Sequence, residues 1–255
     1  MKHQLTLSVV SHNHNVHIKN LLLDLAKLQR NDFRVILTLN LPEELPLDIS
    51  LLPYEVMIVR NATPKGFGSN HNAAFKECHS KYFVILNPDV RFLDDPFDII
   101  MGYLNIHPKS ICAPTVINAA GVLENTARLS PTPSFLLKKL VHHLLNVQLP
   151  ADSIHENSTA YFPDWIAGMF IVVAHDVFQR INGFDESYHL YYEDVDLCMR
   201  AKSIGYDAVV LKNARVIHEA QRDSHRKIKH FFRHVQSIFK FFMSKSYHQL
   251  RDARL

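Results

Sequence analysis

Strand-like and helix-like patterns alternate over roughly the first 115 residues of this 255-residue chain. β-Branched and aromatic runs predict strands at residues 4–10, 34–39, 55–59, 82–86 and 111–116. Apolar residues at helical spacing predict helices at 18–28, 73–75 and 97–103. This alternation is typical of an α/β fold, in which a mostly parallel central sheet is covered by helices on both faces.

The second half of the chain is less regular but continues the pattern. We predict a short helix at 135–145, a strand at 169–174 and a helix at 194–204. Because no linker or repeat interrupts the chain, we expect one domain over residues 1–221, with halves at 1–117 and 118–221. Residues 222–255 hold most of the surplus of Lys, Arg and His and form a predicted basic, amphipathic helical extension.

Composition narrows the class of protein. A hydrophobic fraction of 47% and a charged fraction of 21% are those of an ordinary globular protein. Three widely spaced cysteines, Cys78, Cys112 and Cys198, argue against a disulfide framework or a zinc site and favour a reducing compartment. There is no signal-peptide pattern and no apolar run of the ~20 residues that span a bilayer. We therefore expect a cytoplasmic protein.

Polar residues follow several of the predicted parallel strands. Ser11 and Asn13 come after the first strand, Asn40 after the second, and Asn87 and Asp89 after the fourth. Ligands of such sheets bind beyond the carboxyl ends of the strands. A strand-end carboxylate such as Asp89 can hold Mg²⁺ or Mn²⁺ that bridges two phosphates, although a Pro-Asp pair can also form a simple turn.

A second group of carboxylates, Glu193, Asp194 and Asp196, opens the late helix. Capping and the helix dipole explain one acidic residue there better than three. Asp194 is a candidate general base for an acceptor hydroxyl, while Glu193 and Asp196 would fix the loop or contact sugar hydroxyls. His218 ends a further apolar run and is either a metal ligand or an ordinary strand-end histidine. The combination points to sugar transfer from a nucleotide donor.

Two further motifs have a structural and a functional interpretation. Gly66 and Gly68 precede Asn72 in a turn that either caps a helix or cradles phosphate, with Arg60 placed to face the donor. The spacing is not that of a dinucleotide-binding fingerprint. Trp165, the only tryptophan, is either a core residue or a platform for a sugar ring.

The chain resembles family 2 glycosyltransferases, inverting enzymes of the GT-A fold, and among them the bacterial rhamnosyltransferase-like members. The matching segments in chain order are Val10-Ser11-His12-Asn13, Arg60-Asn61 with Gly66-Phe67-Gly68, Leu86-Asn87-Pro88-Asp89, Asp164-Trp165-Ile166-Ala167-Gly168, Gly183-Phe184-Asp185-Glu186, residues 192–198, and Val216-Ile217-His218. The resemblance implies Asp89 and His218 as metal ligands, with Mg²⁺ or Mn²⁺ as cofactor, and Asp194 as the catalytic base.

The resemblance also divides the remaining candidates between two halves. Residues 1–117 would bind the nucleotide, and residues 118–221 would bind the acceptor. The expected donor-binding residues are Ser11, Asn13, Asn40, Arg60, Gly66, Gly68, Asn72, Asn87 and Asp89. The expected acceptor-binding residues are Trp165, Gly168, Glu193 and Asp196. One departure concerns the nucleotide base: the family usually carries an aspartate after the second strand, and here Asn40 follows Leu39.

The resemblance implies transfer with inversion from a pyrimidine-diphospho sugar, with dTDP-rhamnose the first candidate, to a glycan or lipid-linked glycan in surface polysaccharide or lipopolysaccharide synthesis. The alternative is a non-catalytic protein of the same fold that binds nucleotide sugars or glycans. A nucleotidyltransferase is disfavoured because no glycine- and arginine-rich loop follows the first strand. The basic extension would pack on the domain or lie peripherally on the inner face of the membrane. No nucleic-acid module accompanies it.

Overall fold

The computed structural model describes residues 3–45, 47–133, 138, 155–156, 159–219 and 227–252. The strands are β1 Leu5–Ser11, β2 Phe33–Leu39, β3 Glu55–Arg60, β4 Tyr82–Leu86, β5 Val90–Arg91, β6 Ser110–Asn118, β7 Ala127–Arg128, β8 His155–Glu156, β9 Ala160–Phe162, β10 Trp165–Ile166, β11 Phe170–Ala174 and β12 Asp207–His218. The helices are α1 Asn15–Lys27, α2 Phe67–Phe75, α3 Phe97–Ile106, α4 His175–Arg180, α5 Glu193–Ser203, α6 Lys227–Met243 and α7 Lys245–Asp252, with a 3₁₀ turn at Ile49–Leu51.

Ten of these strands form the central sheet, in the order β3-β2-β1-β4-β11-β6-β12-β9-β8, with β5 paired to β12. Strands β1 to β4 are parallel to one another, β11 runs antiparallel between β4 and β6, and β12 is parallel to β6. The carboxyl ends of β1, β2, β4, β6 and β12 therefore share one edge with the start of β11. That edge is where the sequence predicts ligand binding.

Strand β4 shows why the sheet needs cover on both faces. All five of its residues are buried, and alternate ones belong to two separate apolar clusters. Tyr82, Val84 and Leu86 pack in the cluster that includes residues of α1 and α3. Phe83 and Ile85 pack in the cluster that includes residues of α2, α4 and α5. This two-sided burial confirms the predicted α/β architecture with a mostly parallel sheet.

The C-terminal helices pack on the domain through a third apolar cluster. Phe241 of α6 is fully buried against Tyr188, Tyr192, Val195 and Met199. In the part of the chain that the structure describes, no helix combines the length and the apolar character needed to cross a membrane. Apart from residue 138, the predicted helix at 135–145 lies outside the described residues, as does the boundary at residue 222.

Candidate active site at the carboxyl edge of the sheet

Asp89 and His218 are in contact at this edge. Val90 of β5 pairs with His218, the last residue of β12, so Asp89 lies beside the histidine ring. Asp89 Oδ2 is 3.3 Å from His218 Nε2. Asp89 Oδ1 is buried and has no hydrogen-bond partner among the described residues. Sequence reasoning selected both residues, and the fold brings them together.

Glu124 contacts the other nitrogen of the same ring, at 2.8 Å from His218 Nδ1. Asn118 and Gly121, which has a φ of 76°, form a turn after β6, and the returning backbone N–H of Glu124 donates to the carbonyl of Val116. The hydrogen bond to Asp89 raises the pKa of His218 to about 9, and Glu124 adds to the shift. The two flanking carboxylates therefore favour the protonated ring as long as no metal ion takes the place of the proton on Nε2.

Asp194 and Glu193 lie at the first turn of α5, and the two differ in their partners. Asp194 Oδ2 accepts from the backbone N–H of Gly168 at 3.0 Å, and its Oδ1 accepts from that of Val195 at 2.8 Å. Glu193 is only 6% exposed, and its Oε2 has no hydrogen-bond partner among the described residues. Burial raises the pKa of Glu193 to about 8, with the charge of Asp194 adding to the shift, and burial also raises the pKa of Asp194.

A short backbone path joins Asp194 to the Asp89 loop. Gly168 donates to Asp194, and the next residue, Met169, accepts from the backbone N–H of Asn87 at 2.8 Å. A side chain at Gly168 would come 3.3 Å from the ring of Phe67 and 3.5 Å from Asp194 Cβ, so a larger residue would crowd this junction. The two carboxylate groups therefore belong to one edge of the sheet.

The turn before α5 is strained. Tyr191 and Tyr192 have φ values of 71° and 69°, in the left-handed region that non-glycine residues rarely occupy. Each such residue costs of order 1–3 kcal/mol and persists only where the surroundings hold it. Asp194 follows this turn by two residues, so the strain is stored directly beside the candidate base.

The loops after β1 and β2 form a hydrogen-bonded corner on the nucleotide side. Glu43 accepts from Ser11 Oγ at 2.8 Å and from the backbone N–H of Asn13 at 3.3 Å. Arg60 donates to the backbone carbonyl of Glu43 at 3.0 Å. Three predicted donor-binding residues thus contact Glu43, two through its carboxylate and one through its backbone carbonyl, and sequence reasoning missed this residue. The sequence feature that could have indicated Glu43 is the Pro42-Glu43 pair shortly after β2.

Asn40 is a structural residue of this corner. Its side-chain oxygen accepts from Asn61 and from the backbone N–H of Lys65, both at 2.8 Å. Its nitrogen lies 3.0 Å from the carbonyl of Lys65 and 3.2 Å from the ring of His12. Because both ends of the amide are used inside the protein, this geometry does not support base recognition by the Asn40 side chain.

The glycine turn before α2 is packed against other parts of the chain. A Cβ at Gly66 would lie 2.9 Å from the carbonyl oxygen of His189, and one at Gly68 would lie 2.7 Å from Phe184 Cβ. The backbone N–H of Phe67 donates to His189. The start of α2 is therefore covered by protein, which supports the packing interpretation of these glycines over a phosphate cradle.

Asn72 faces the same packed segment and not the edge of the sheet. It donates to the carbonyl of Phe184 at 2.9 Å and to Glu186 at 3.0 Å. A cavity of about 580 Å³ between α2, α4 and residues 182–186 includes Asn72 but none of Asp89, Asp194 and His218. The predicted donor contact of Asn72 finds no support in this position.

Trp165 and Asp196 also have internal partners. Trp165 Nε1 donates to the carbonyl of Leu129 at 2.9 Å, while the ring stays partly exposed beneath Arg128. Asp196 is 3% exposed and accepts from Arg200 at 2.7 Å and from Ser246 at 2.9 Å. The geometry leaves Trp165 accessible as a platform but does not support acceptor binding by Asp196.

Comparison with known proteins supports the same class of protein that the sequence motifs indicate. No family model matches the chain. It is 27% identical over 249 residues to Rhamnosyltransferase WbbL of Escherichia coli, which covers 93% of this chain and 92% of that protein. It is 26% identical over 172 residues to the N-acetylglucosaminyl-diphospho-decaprenol L-rhamnosyltransferase of Mycobacterium tuberculosis, covering 63% of this chain and 54% of that protein.

Two solved structures share the fold at low sequence identity. S. aureus TarS in complex with UDP-GlcNAc has a TM-score of 0.60 at 13% identity and covers 96% of this chain and 69% of that one. The mannosyltransferase PcManGT from Pyrobaculum calidifontis, in complex with GDP-Man and Mn²⁺, has a TM-score of 0.59 at 13% identity, covering 93% and 64%. The GT-A fold of these structures and the two sequence relatives together support a bacterial rhamnosyltransferase-like glycosyltransferase.

Proposed function

We propose that the protein transfers a sugar, with rhamnose the first candidate, from a nucleotide-diphospho-sugar to an acceptor hydroxyl and inverts the anomeric centre. The product would enter a surface polysaccharide or lipopolysaccharide. The relatives' names support the sugar and the reaction class. The observation that supports the proposal is the contact of Asp89 with His218, together with the backbone path through Gly168 and Met169 that links Asp194 to the same edge of the sheet.

The residues at this edge fit a divalent cation whose remaining ligands would come from the substrate. Asp89 offers a buried oxygen without a partner among the described residues, and His218 Nε2 lies beside its other oxygen. Glu124 on Nδ1 would orient the ring, as carboxylates do for metal-bound histidines. The described residues hold no group of three or more ligating side chains. Mg²⁺ and Mn²⁺ commonly take one or two protein ligands together with the phosphates of a nucleotide.

A bound cation would neutralise charge on the departing diphosphate. Asp194 accepts the proton of the acceptor hydroxyl, and the oxygen forms its bond to the anomeric carbon. The bond from that carbon to the diphosphate breaks from the opposite face, and its electrons leave with the nucleoside diphosphate. Burial raises the pKa of both Glu193 and Asp194, while the backbone N–H groups of Gly168 and Val195 that donate to Asp194 favour its charged form.

On the donor side, Ser11 and Asn13 donate to the carboxylate of Glu43 and Arg60 donates to its backbone carbonyl, and these residues would place the nucleotide. On the acceptor side, Trp165 beside Gly168 would receive the sugar or lipid-linked glycan. The mycobacterial relative is named for a decaprenol-linked diphosphate, which supports a lipid-linked acceptor here. Nucleic acid is no part of the proposal.

Peripheral membrane contact would use the outer side of α6. Phe239 and Met243 are 70% and 81% exposed there, with the exposed Arg233 nearby on the helix. Pelleting with anionic vesicles should weaken in a Phe239→Ser, Met243→Ser variant. Unchanged pelleting, or none by the parent protein, would contradict membrane contact through this surface.

The decisive experiment is an assay of dTDP-rhamnose against UDP- and GDP-sugars, with a lipid-linked diphospho-sugar acceptor and with Mg²⁺, Mn²⁺ or chelator. We expect metal-dependent transfer, with the anomeric configuration of the product, read by NMR coupling, opposite to that of the donor. Retained configuration would contradict single displacement. Donor binding without transfer or hydrolysis across the panel would favour the non-catalytic alternative.

A further inference from the structure

The two C-terminal helices contact the segment that carries the candidate base. His234 and Phe241 lie on the inner side of α6, and the ring of His234 is 5.2 Å from that of Tyr191 and 5.5 Å from that of Tyr192. The ring of Phe241 is 5.4 Å from that of Tyr192. Both strained tyrosines are thus covered by one helix.

Polar contacts fasten the same segment on both sides of the turn. Ser237 of α6 is buried and donates to the carbonyl of Leu190 at 3.0 Å. Ser246 of α7 is buried and donates to Asp196 at 2.9 Å. Lys240 lies 4.4 Å from the centre of the Tyr188 ring. The contacts therefore extend over residues 188–196, with the strained turn at their centre.

We infer that α6 and α7 act as a clamp that holds the Tyr191–Tyr192 turn in its left-handed conformation and so positions Asp194 against Gly168. The reason is energetic: two successive tyrosines at positive φ relax to extended or right-handed backbone unless their surroundings prevent it. Relaxation would move the start of α5, and with it the carboxylate that accepts from Gly168. Ser237 and Phe241 are positioning residues in this account, and the inference rests on the proposed role of Asp194.

The clamp explains why Phe241 and Ser237 of α6 are buried, which the basic and amphipathic composition of the extension does not explain. An amphipathic helix that only lay on a membrane would turn its apolar face outward, but Phe241 is fully buried and Ser237 is 6% exposed. Phe239, two residues from Phe241, is 70% exposed and touches none of the turn residues through ring contacts. The side of α6 that carries Ser237 and Phe241 therefore packs on the domain, while the side with Phe239 faces outward.

The test compares Phe241→Leu and Ser237→Ala with the control Gln236→Ala, an exposed position of α6, in the whole chain of 255 residues. First, hydrogen exchange of backbone amides at 188–196 should quicken in the two inner variants and stay unchanged in the control, while thermal unfolding confirms that all three fold. Second, kcat should fall about 10- to 100-fold with the donor KM within about twofold, since a misplacement of ~1 Å reduces catalysis by about that factor.

A rescue variant separates positioning from general loss of packing. Glycine adopts positive φ without strain, so Tyr191→Gly added to Phe241→Leu should restore most of the lost kcat. Unchanged exchange at 188–196 in Phe241→Leu would overturn the clamp, and quickened exchange with normal kcat, or failure of the rescue, would overturn its link to catalysis. If Asp194→Asn were fully active, the proposed base would fall, while the exchange result would still decide whether the clamp exists.

Discussion

Two regions of the molecule use polar residues in opposite ways. The nucleotide corner is formed by the loops after β1 and β2 around Glu43. The carboxylate edge is the sheet edge with Asp89, His218 and the Glu193–Asp194 pair. In the corner, Asn40, Asn61 and Glu43 are satisfied by neighbouring protein groups. At the edge, buried oxygens of Asp89 and Glu193 have no hydrogen-bond partner among the described residues, and the backbone before α5 is strained. Buried polar groups in native proteins are normally paired. The comparison teaches that the corner is built for rigidity, whereas the edge leaves buried groups unpaired, as the proposed binding of substrate and metal would require.

The largest expected effect is at Asp194. Asp194→Asn keeps the size of the side chain and one acceptor oxygen but cannot take up a proton. We expect transfer to fall by about 10²–10⁴-fold, the usual contribution of a positioned general base. Donor binding, measured by calorimetry, should stay within about twofold of the parent value.

The matched control is Asp176→Asn, which removes an exposed carboxylate from α4. It should leave both transfer and donor binding unchanged. If Asp194→Asn turned over normally, the carboxylate pair of Glu193 and Asp194 would have no demonstrated role in the reaction, and the difference between edge and corner would have no chemical consequence.

Glu124 offers the next largest effect. Glu124→Gln removes the charge that orients His218 without removing a proposed ligand. Loss of such an orienting group typically lowers metal affinity by about 10- to 100-fold. Mn²⁺ binding followed by electron paramagnetic resonance, in the presence of nucleoside diphosphate, would measure this independently of turnover.

Glu77→Gln, on the exposed end of the α2 region, is the control and should bind Mn²⁺ as the parent does. Equal affinity in Glu124→Gln and the parent would show that the Glu124–His218 contact only stabilises the fold. In that case the polar groups of the edge would only bind one another, as those of the corner do.

Much of the difference between the corner and the edge was predictable from local sequence. The remainder depends on contacts between distant parts of the chain. The alternation of strands and helices determined which segments end at the shared edge, so Asp89 and His218 were selected correctly as neighbours. Their contact depends on β5 returning against β12, a pairing of only two residues. Glu124 was missed because its place comes from a turn at Asn118 and Gly121 that brings the chain back along β6.

The glycine turn shows a different limit of sequence reasoning. Gly66 and Gly68 look alike whether the nearby group is a phosphate or a backbone carbonyl, since both need the absence of a side chain. The neighbours turned out to be His189 and Phe184, which are more than 100 residues away along the chain and are placed there only by tertiary packing. The burial of Asp196 beneath α7 has the same cause.

In the corner we expect a stability effect and little change in chemistry. Asn40→Ala removes the side chain that joins Asn61 and Lys65 and leaves two part-buried donors without their acceptor. The free energy of unfolding should fall by about 1–3 kcal/mol. Denaturant unfolding measures this, while kcat should stay within about twofold. Gln179→Ala, an exposed amide on α4, should leave the unfolding free energy within about 0.5 kcal/mol. A large fall in kcat with unchanged stability would mean that Asn40 acts on substrate.

The smallest expected effect is the pH dependence of stability that the unpaired carboxyl group of Glu193 confers. The folded-state pKa of Glu193, about 8, lies above its ordinary value of 4.5, so the folded protein keeps a proton that the unfolded chain releases. Stability from this group is therefore complete below about pH 4.5 and is lost as the pH rises through about 8. Glu193→Gln should match the parent near pH 4.5 and melt about 2–4 °C higher near pH 9, the shift that about 1 kcal/mol produces in a chain of this size.

The charge on Asp194 contributes to the raised pKa of Glu193, so the two substitutions should not be additive. In an Asp194→Asn background, the gain from Glu193→Gln at high pH should shrink, because the remaining carboxyl ionises more readily without its charged neighbour. Calorimetric melting of the four proteins near pH 4.5 and pH 9 measures this coupling. Equal gains in both backgrounds would show that burial alone sets the pKa of Glu193. The carboxylate pair would then act as two separate groups, and Glu193 would have no electrostatic influence on the proposed base.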